Sequence, residues 1–269
     1  MLKFDKYTLF ARLVPAIIAV APAIALTWAV MTSGAELKLV HGIAGTALAV
    51  LLWAFADATR RRGKAIEPSL IEGMGGLPSI TMLRHRDPTF DAATKTRMLA
   101  FLAAKVSSAA PTLEQEEQDP NTADAFYKQA GDWLRENTRN KKKFDILFHE
   151  NISYGYRRNL YALKWPALAL NVMIVVGCVV QYVYHWPAST ELGLLPVFVI
   201  AILHACYLLA YSTRAAVTEA ARTYARQLLL SFESPHLQKN EKKEPAVAPR
   251  TRRKRALTDG KPIEAEKQE

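Results

Sequence analysis

Three groups of residues have types and spacings suited to chemistry. The first is Leu83-Arg84-His85-Arg86-Asp87, two guanidiniums, an imidazole and a carboxylate in one short run. His85-Arg86-Asp87 spells the tripeptide of a kinase catalytic loop. A kinase also needs an Asn at fixed spacing after the Asp, a glycine-rich phosphate loop, a strand Lys and Asp-Phe-Gly. Position 92 is Ala and the other elements are missing, so kinase chemistry is excluded. Two readings remain. One is a polar turn in which Asp87 pairs with Arg84 or Arg86. The other is an anion grip by Arg84, His85 and Arg86 through the fork geometry of arginine.

The second group is Glu150, Asn151, Tyr154, Tyr156, Arg157 and Arg158, the densest polar and aromatic cluster in the chain. Glu150 with Tyr154, and Tyr154 with Arg158, are spaced to share a helix face. Juxtamembrane anchoring is the plainer expectation, with Arg at the headgroups and Tyr at the interface. A ligand or partner surface coupled to the following apolar segment is the sharper one.

The third group is His41, Asn171, Gln181 and His204, polar residues inside apolar runs, where such groups are expensive and often functional. A neutral His hydrogen-bonded within a bundle is the plain account of His204; a gate or proton site is the alternative. Gly73-Met74-Gly75-Gly76 lacks the Lys-Ser/Thr of a phosphate loop and reads as a flexible loop. No HExxH, His/Cys cluster or Gly-x-Ser-x-Gly is present, so no metal, cofactor or hydrolase set is expected. Cys178 and Cys206 lie in apolar runs and form no disulfide framework.

The elements that must position these groups follow from the apolar pattern. Of 269 residues 50% are hydrophobic, an ordinary fraction, but they gather in two blocks separated by a charged stretch. A helix crossing the hydrocarbon needs about 20 apolar residues. Four such spans are expected, at about 13–31, 37–56, 166–184 and 192–211. Leu13–Met31 is too long for a signal-peptide core and is followed closely by a second apolar helix, so it is read as an uncleaved span. Pro15 and Pro22 are tolerable there, and Lys38 can snorkel to the headgroups. Gly42 and Gly45 permit close helix contact.

Charge sets the topology. Lys3, Lys6 and Arg12 precede the first span. Arg60-Arg61-Arg62-Gly63-Lys64 follows the second, Arg157, Arg158 and Lys164 precede the third, and Arg214, Arg222 and Arg226 follow the fourth. The connection between spans three and four has Glu191 and no Lys or Arg. Every basic flank then faces the cytoplasm, with both termini and the central insertion. The net charge of +10 is read in the same way.

The expected fold is an all-α membrane protein, four transmembrane helices in two hairpins with a mainly helical cytoplasmic insertion. Its divisions are a first hairpin at 1–57, a cytoplasmic helical domain at 58–164, a second hairpin at 165–211, an amphipathic cytoplasmic helix at 212–235 and a disordered basic tail at 236–269. Within the insertion, 65–92 is expected to be irregular. Helices are expected from Asp91 to about Ser107, from Asn121 or Thr122 to about Asn137, and from about Phe144 towards the third span. The Glu114–Asp119 run is read as a break. The amphipathic helix would lie on the membrane or pack on the cytoplasmic domain. In the tail, Arg252, Arg253, Lys254 and Arg255 suit anionic lipid headgroups.

Gly75-Gly76-Leu77-Pro78, Leu83–Asp87, Thr138-Arg139-Asn140, Lys142-Lys143-Phe144 and Glu150-Asn151-Ile152-Ser153-Tyr154-Gly155-Tyr156-Arg157-Arg158-Asn159-Leu160 resemble a family of bacterial four-span inner-membrane proteins with no established activity. The resemblance covers roughly 70–164. By architecture alone the chain is also similar to membrane effectors of anti-phage systems. The expected function is a non-enzymatic membrane protein whose cytoplasmic domain binds a protein or nucleotide signal, as a membrane-perturbing or pore-forming effector. The alternatives are a membrane-bound enzyme on a phosphate-containing substrate and a small-solute transporter. The expected partners are the bilayer and its anionic headgroups, with homo-oligomerisation an open alternative.

Overall fold

The protein is described from a computed structural model covering residues 5–32, 41–184 and 194–238, with side chains at these positions except 30–32 and 41–53. All regular structure among the described residues is helical. The N-terminal segment comprises α1 (Lys6–Thr8), a π-helical turn (Leu9–Leu13), α2 (Val14–Ala19) and α3 (Ala21–Thr32). Asp5 starts it, accepting from the Thr8 amide at 2.7 Å. The segment bends by 56° between Ala19 and Ala21. Pro22 explains the break: it has no N–H to give the Ile18 carbonyl four residues back. The first expected span is therefore bent.

Next come α4 (His41–Gly73), α5 (Pro78–Thr81), α6 (Ala92–Val106), α7 (Leu113–Gln118) and α8 (Pro120–Asn137). The chain continues with α9 (Asp145–Tyr184), α10 (Leu195–Tyr211), α11 (Arg214–Leu230), a 3-10 turn at Ser231–Glu233 and α12 (Pro235–Gln238).

Several expectations need correcting. α4 does not end near residue 64 but continues through Pro68 to Gly73. Tertiary contacts hold this extension: Leu70 is buried, and Arg214 donates to the Ser69 carbonyl at 2.8 Å. The acidic run is helical, because Thr112 and Gln115 form a reciprocal capping box ahead of α7. Asp119, not Asn121 or Thr122, caps α8. Residues 236–238 are helical rather than part of a tail, with Leu237 buried. Arg252, Arg253, Lys254 and Arg255 lie outside the described residues. So do positions 37–40 of the second expected span, and the side chain of His41 is likewise outside the description.

Two regions result. The first is a helical core of Leu83, Met98, Leu102, Tyr127, Leu134, Leu228 and Leu229, contributed by α6, α8, α11 and the turn after α5. The amphipathic α11 thus packs on the insertion. The second region is apolar and thin. Ala25 and Ala29 meet Ile174, Cys178 and Val197; Ala19 meets Leu160, Ala167 and Leu208.

α9 joins the two regions. At 40 residues it is about 60 Å long. Its C-terminal stretch is long and apolar enough to cross a membrane, yet only 22% of that stretch is buried. Val172, Met173, Val176, Val179, Val180 and Val183 face outward. By length and composition one described helix can span, and up to three can if the bent pairs α1–α3 and α10–α11 each count as one.

Candidate binding site

The three groups of chemically suited residues meet different fates. The Arg84–Asp87 turn is wired into the fold. Arg84 donates to both Asp124 carboxylate oxygens, at 2.9 and 2.6 Å, rather than to Asp87. The His85 amide donates to Glu116 Oε2 at 2.9 Å, and its ring Nε2 lies 2.9 Å from the Pro111 carbonyl. Asp87 Oδ1 accepts from the Thr89 amide. Beneath the turn, Lys95 Nζ donates to the carbonyls of Arg84, His85 and Asp87 at 2.6, 3.4 and 2.5 Å. Burial pushes the Lys95 ammonium below its usual range, partly opposed by Asp87 and Glu116. Arg86 alone of the four faces solvent. Apart from Arg86, the turn's polar groups are consumed as structure.

The Glu150–Arg158 helix splits by face. Arg157 is exposed, and Glu150 is half-buried. Tyr154 and Arg158 point inward and share one acceptor: Glu67 Oε1 on α4 takes the Tyr154 hydroxyl at 2.8 Å and Arg158 Nη1 at 2.7 Å. Arg158 also lies over the Tyr154 ring, 5.4 Å from its centroid. Asn159, almost fully buried, donates through Nδ2 to the Ala11 carbonyl in the π-helical turn at 2.6 Å. Tyr154 stacks on Tyr224 of α11, 6.3 Å between centroids and 8° between planes. The N-terminal segment, α4, α9 and α11 therefore converge at one buried polar junction. Burial first, and the Glu67 carboxylate second, push the Tyr154 phenol well above its ordinary range.

Small residues allow this convergence. A Cβ at Gly63 would overlap Asn159 Oδ1, and one at Gly155 would lie 2.8 Å from the Tyr7 hydroxyl and 3.0 Å from the Ala11 Cβ. Gly155, a weak point by helix propensity, is where the N-terminal segment docks.

Two adjoining cavities open beside the junction. One of about 390 Å³ is lined by Asp5, Tyr7, Arg135, Arg139, Lys141 and Asn151, with Phe148 and Tyr224 among its walls. The other, about 220 Å³, includes Glu67, Ser79 and Tyr154. Arg135 and Tyr224 border both. The larger is in the size range of small-ligand sites, about 300–1,000 Å³. Three cations and one carboxylate line it, beside aromatic faces.

The cations are only loosely engaged. Arg135 bonds Asp132 at 2.6 Å and Ser79 at 3.1 Å; Arg139 pairs with Glu136 and Lys141 with Asp5. Such exposed pairs are worth about 0–1 kcal/mol each, so an anionic ligand could displace them at low cost.

Of the residues singled out in the sequence, Asn151 and Tyr154 line this cleft, and none of the Arg84–Asp87 turn does. Arg135, Arg139, Lys141, Tyr7, Tyr224 and Glu67 were not foreseen. The Thr138-Arg139-Asn140 run was the nearest signal.

Within the apolar region, Asn171 Nδ2 donates to the Ala201 carbonyl at 2.9 Å. His204 lies one turn further along α10, on the same buried face as Val197, Ala201 and Leu208. Both Asn171 and His204 are buried among apolar residues. Among the described residues no His, Cys, Asp and Glu grouping fits a metal ion. Comparison with protein-family models, with curated proteins and with solved structures gave no match to the chain.

Proposed function

We propose that the protein crosses the bacterial inner membrane four times, keeps both termini and its insertion in the cytoplasm, and binds a small anionic signal in the juxtamembrane cleft. Occupancy then acts on the bundle through α9, as expected of a membrane-perturbing effector. The observation that carries this reading is the unbroken course of α9. Asn151 and Tyr154 line the cleft on its N-terminal half, and its exposed apolar half continues from the same helix with no hinge loop. A shift of the cleft end is passed along α9 to the apolar end, less whatever bend Pro166, which gives no N–H to the helix between them, takes up.

Other features agree. The basic flanks alternate as the positive-inside rule requires. The bent N-terminal segment runs in the same direction as α9, since Lys6 meets His149, Ala11 meets Asn159, and Ala25 and Ala29 meet Ile174 and Cys178. α4 runs antiparallel to α9, with Glu67 against Tyr154 and Gly63 against Asn159. The phosphate-enzyme alternative is weakened because Arg84 and His85 already serve Asp124 and Pro111. The transporter alternative is weakened because Asn171 and His204 sit in apolar packing.

The test uses purified protein with ATP, GTP and inorganic polyphosphate as anionic probes. At least one should raise the melting temperature, and Arg135→Gln with Lys141→Gln should abolish that shift. In liposomes with an imposed potential, the same probe should collapse the potential read by a voltage dye. A potential that holds with every probe, and no thermal shift with any, would overturn the reading.

A further inference from the structure

The smaller of the two adjoining cavities, about 220 Å³, differs in character from the larger. Met74, Leu77, Pro78, Ala221 and Ala225 wall it, and its polar groups are few. A chain reversal after α4 builds it. Gly75 and Gly76 take positive φ, 76° and 123°. Their amides donate to the Glu72 and Ile71 carbonyls, both at 3.0 Å. This paired glycine ending turns a helix back on itself, at φ values that side chains rarely adopt. It brings Ser79 of α5 to the same slot as Glu67 of α4.

Those two residues offer an acceptor and a donor. Glu67 spends one oxygen, Oε1, on both Tyr154 and Arg158. Oε2 takes neither bond, and each carboxylate oxygen can accept twice. Ser79 Oγ accepts from Arg135 Nη1 at 3.1 Å, and a hydroxyl that accepts still has its hydrogen to donate. An acceptor beside a donor in an apolar slot suits a flat ring with the reverse pair. Adenine has it, with the N6 amino group next to N7. Guanine presents two acceptors, N7 and O6, on the same edge, and its O6 would meet the carboxylate.

The larger cavity supplies the other end of the ligand. Tyr154 lines the slot and Asn151 the larger cavity. They are three residues apart on α9, about 5 Å along its axis. Arg135 and Tyr224 border both cavities, and Arg139 and Lys141 line the larger. An apolar slot with a donor and an acceptor thus adjoins a cluster of cations within one cleft. Inorganic polyphosphate would use the cations and leave Glu67 Oε2 and Ser79 unmatched.

We infer that the cleft binds an adenine nucleotide. Its base lies in the smaller cavity, with the amino group on Glu67 Oε2 and N7 on the Ser79 hydroxyl. Its phosphates lie in the larger cavity beside Arg135, Arg139 and Lys141. This ligand class rests on the anionic-cleft reading above.

The test is calorimetric titration of the full chain in detergent with ATP, with ITP and with tripolyphosphate. ITP carries a 6-oxo group in place of the 6-amino group, and tripolyphosphate has no base. ATP should bind about tenfold more tightly than ITP, the value of one matched base contact, and more tightly than tripolyphosphate. Glu67→Gln keeps an oxygen for Tyr154 and Arg158 and turns an amide N–H to the slot. It should therefore reverse the preference toward ITP, whereas a loss of stability alone would weaken both nucleotides alike. Lys142→Gln, which lines neither cavity, should change nothing. A melting curve shows whether Glu67→Gln is folded at the titration temperature; if it is not, the wild-type comparison decides alone. Equal binding of ATP and ITP, or an unchanged preference in folded Glu67→Gln, would overturn the inference. If tripolyphosphate then binds as tightly as ATP, the anionic cleft stands without a base slot. No binding of any of the three overturns both.

Discussion

Arg158 on α9 and Glu67 on α4 lie 2.7 Å apart, with the guanidinium 9% and the carboxylate 28% exposed. They are 91 positions apart in the chain, and they fasten the helix that enters the apolar region to the one that precedes the insertion. Tyr154 shares the same oxygen. Removing the carboxylate strands both donors. Glu67→Ala should destabilise the protein by about 3 kcal/mol, the lower end for a broken buried pair because Glu67 retains some solvent. Glu67→Gln keeps an acceptor and should cost less. Thermal melts in detergent measure both; equal stability of Glu67→Ala and the wild type would remove the junction from the account.

The close approach at Gly155 makes a second prediction. Gly155→Ala places a methyl 2.8 Å from the Tyr7 hydroxyl. Overpacking of this kind costs about 1–3 kcal/mol. Tyr7→Phe removes the hydroxyl and should restore part of the loss, while the 3.0 Å approach to Ala11 keeps the restoration incomplete. A double-mutant cycle reads this as a coupling between the two sites. Strictly additive effects would mean that Tyr7 does not dock there.

The buried phenols predict the alkaline behaviour. Tyr127 donates to Glu116 Oε2 at 2.6 Å, and burial, then that carboxylate, pushes its pKa above the ordinary 10.0. Tyr154 is shifted in the same direction. The fold favours the neutral phenol, so its contribution is complete below the unfolded pKa. It declines as pH rises from there toward the folded value. Melting temperature should hold steady to about pH 9 and fall above about pH 10. Tyr127→Phe should be less stable at neutral pH by about 1–2 kcal/mol, with a shallower alkaline fall. An identical fall in that variant would show that Tyr127 does not carry it.

The parts of this structure that were legible in the sequence are those fixed by nearby residues. Asp91 announced α6 because an Asp before an apolar stripe caps a helix, and its carboxylate does accept the Thr94 amide. The apolar runs announced themselves in the same way. α7 is not legible in its own acidic run, whose like charges read as a break, although Thr112 and Gln115 carry the capping-box spacing. Pro68 falls in the stretch 65–92 that reads as irregular from its prolines and glycines, but Leu70, Arg214 and the neighbouring helix hold α4 through it. The candidate site was legible only at Asn151 and Tyr154. Glu67, Tyr7 and Tyr224 come from three other helices, and no local pattern says that they meet α9. The Arg84–Asp87 turn looked chemical because its residues are adjacent, but their partners, Asp124, Glu116, Pro111 and Lys95, are remote.

On the proposed topology the cleft faces the cytoplasm beneath four spans. Cysteine labelling in intact cells tests it most directly. Cys178 and Cys206 are first replaced by Ala, and single cysteines are then placed at Ser33, Gln129, Ser189 and Ser234. A membrane-impermeant maleimide should label Ser33→Cys and Ser189→Cys from outside, and Gln129→Cys and Ser234→Cys only after the membrane is permeabilised. Labelling of Gln129→Cys in intact cells, or protection of both Ser33→Cys and Ser189→Cys until permeabilisation, would contradict it.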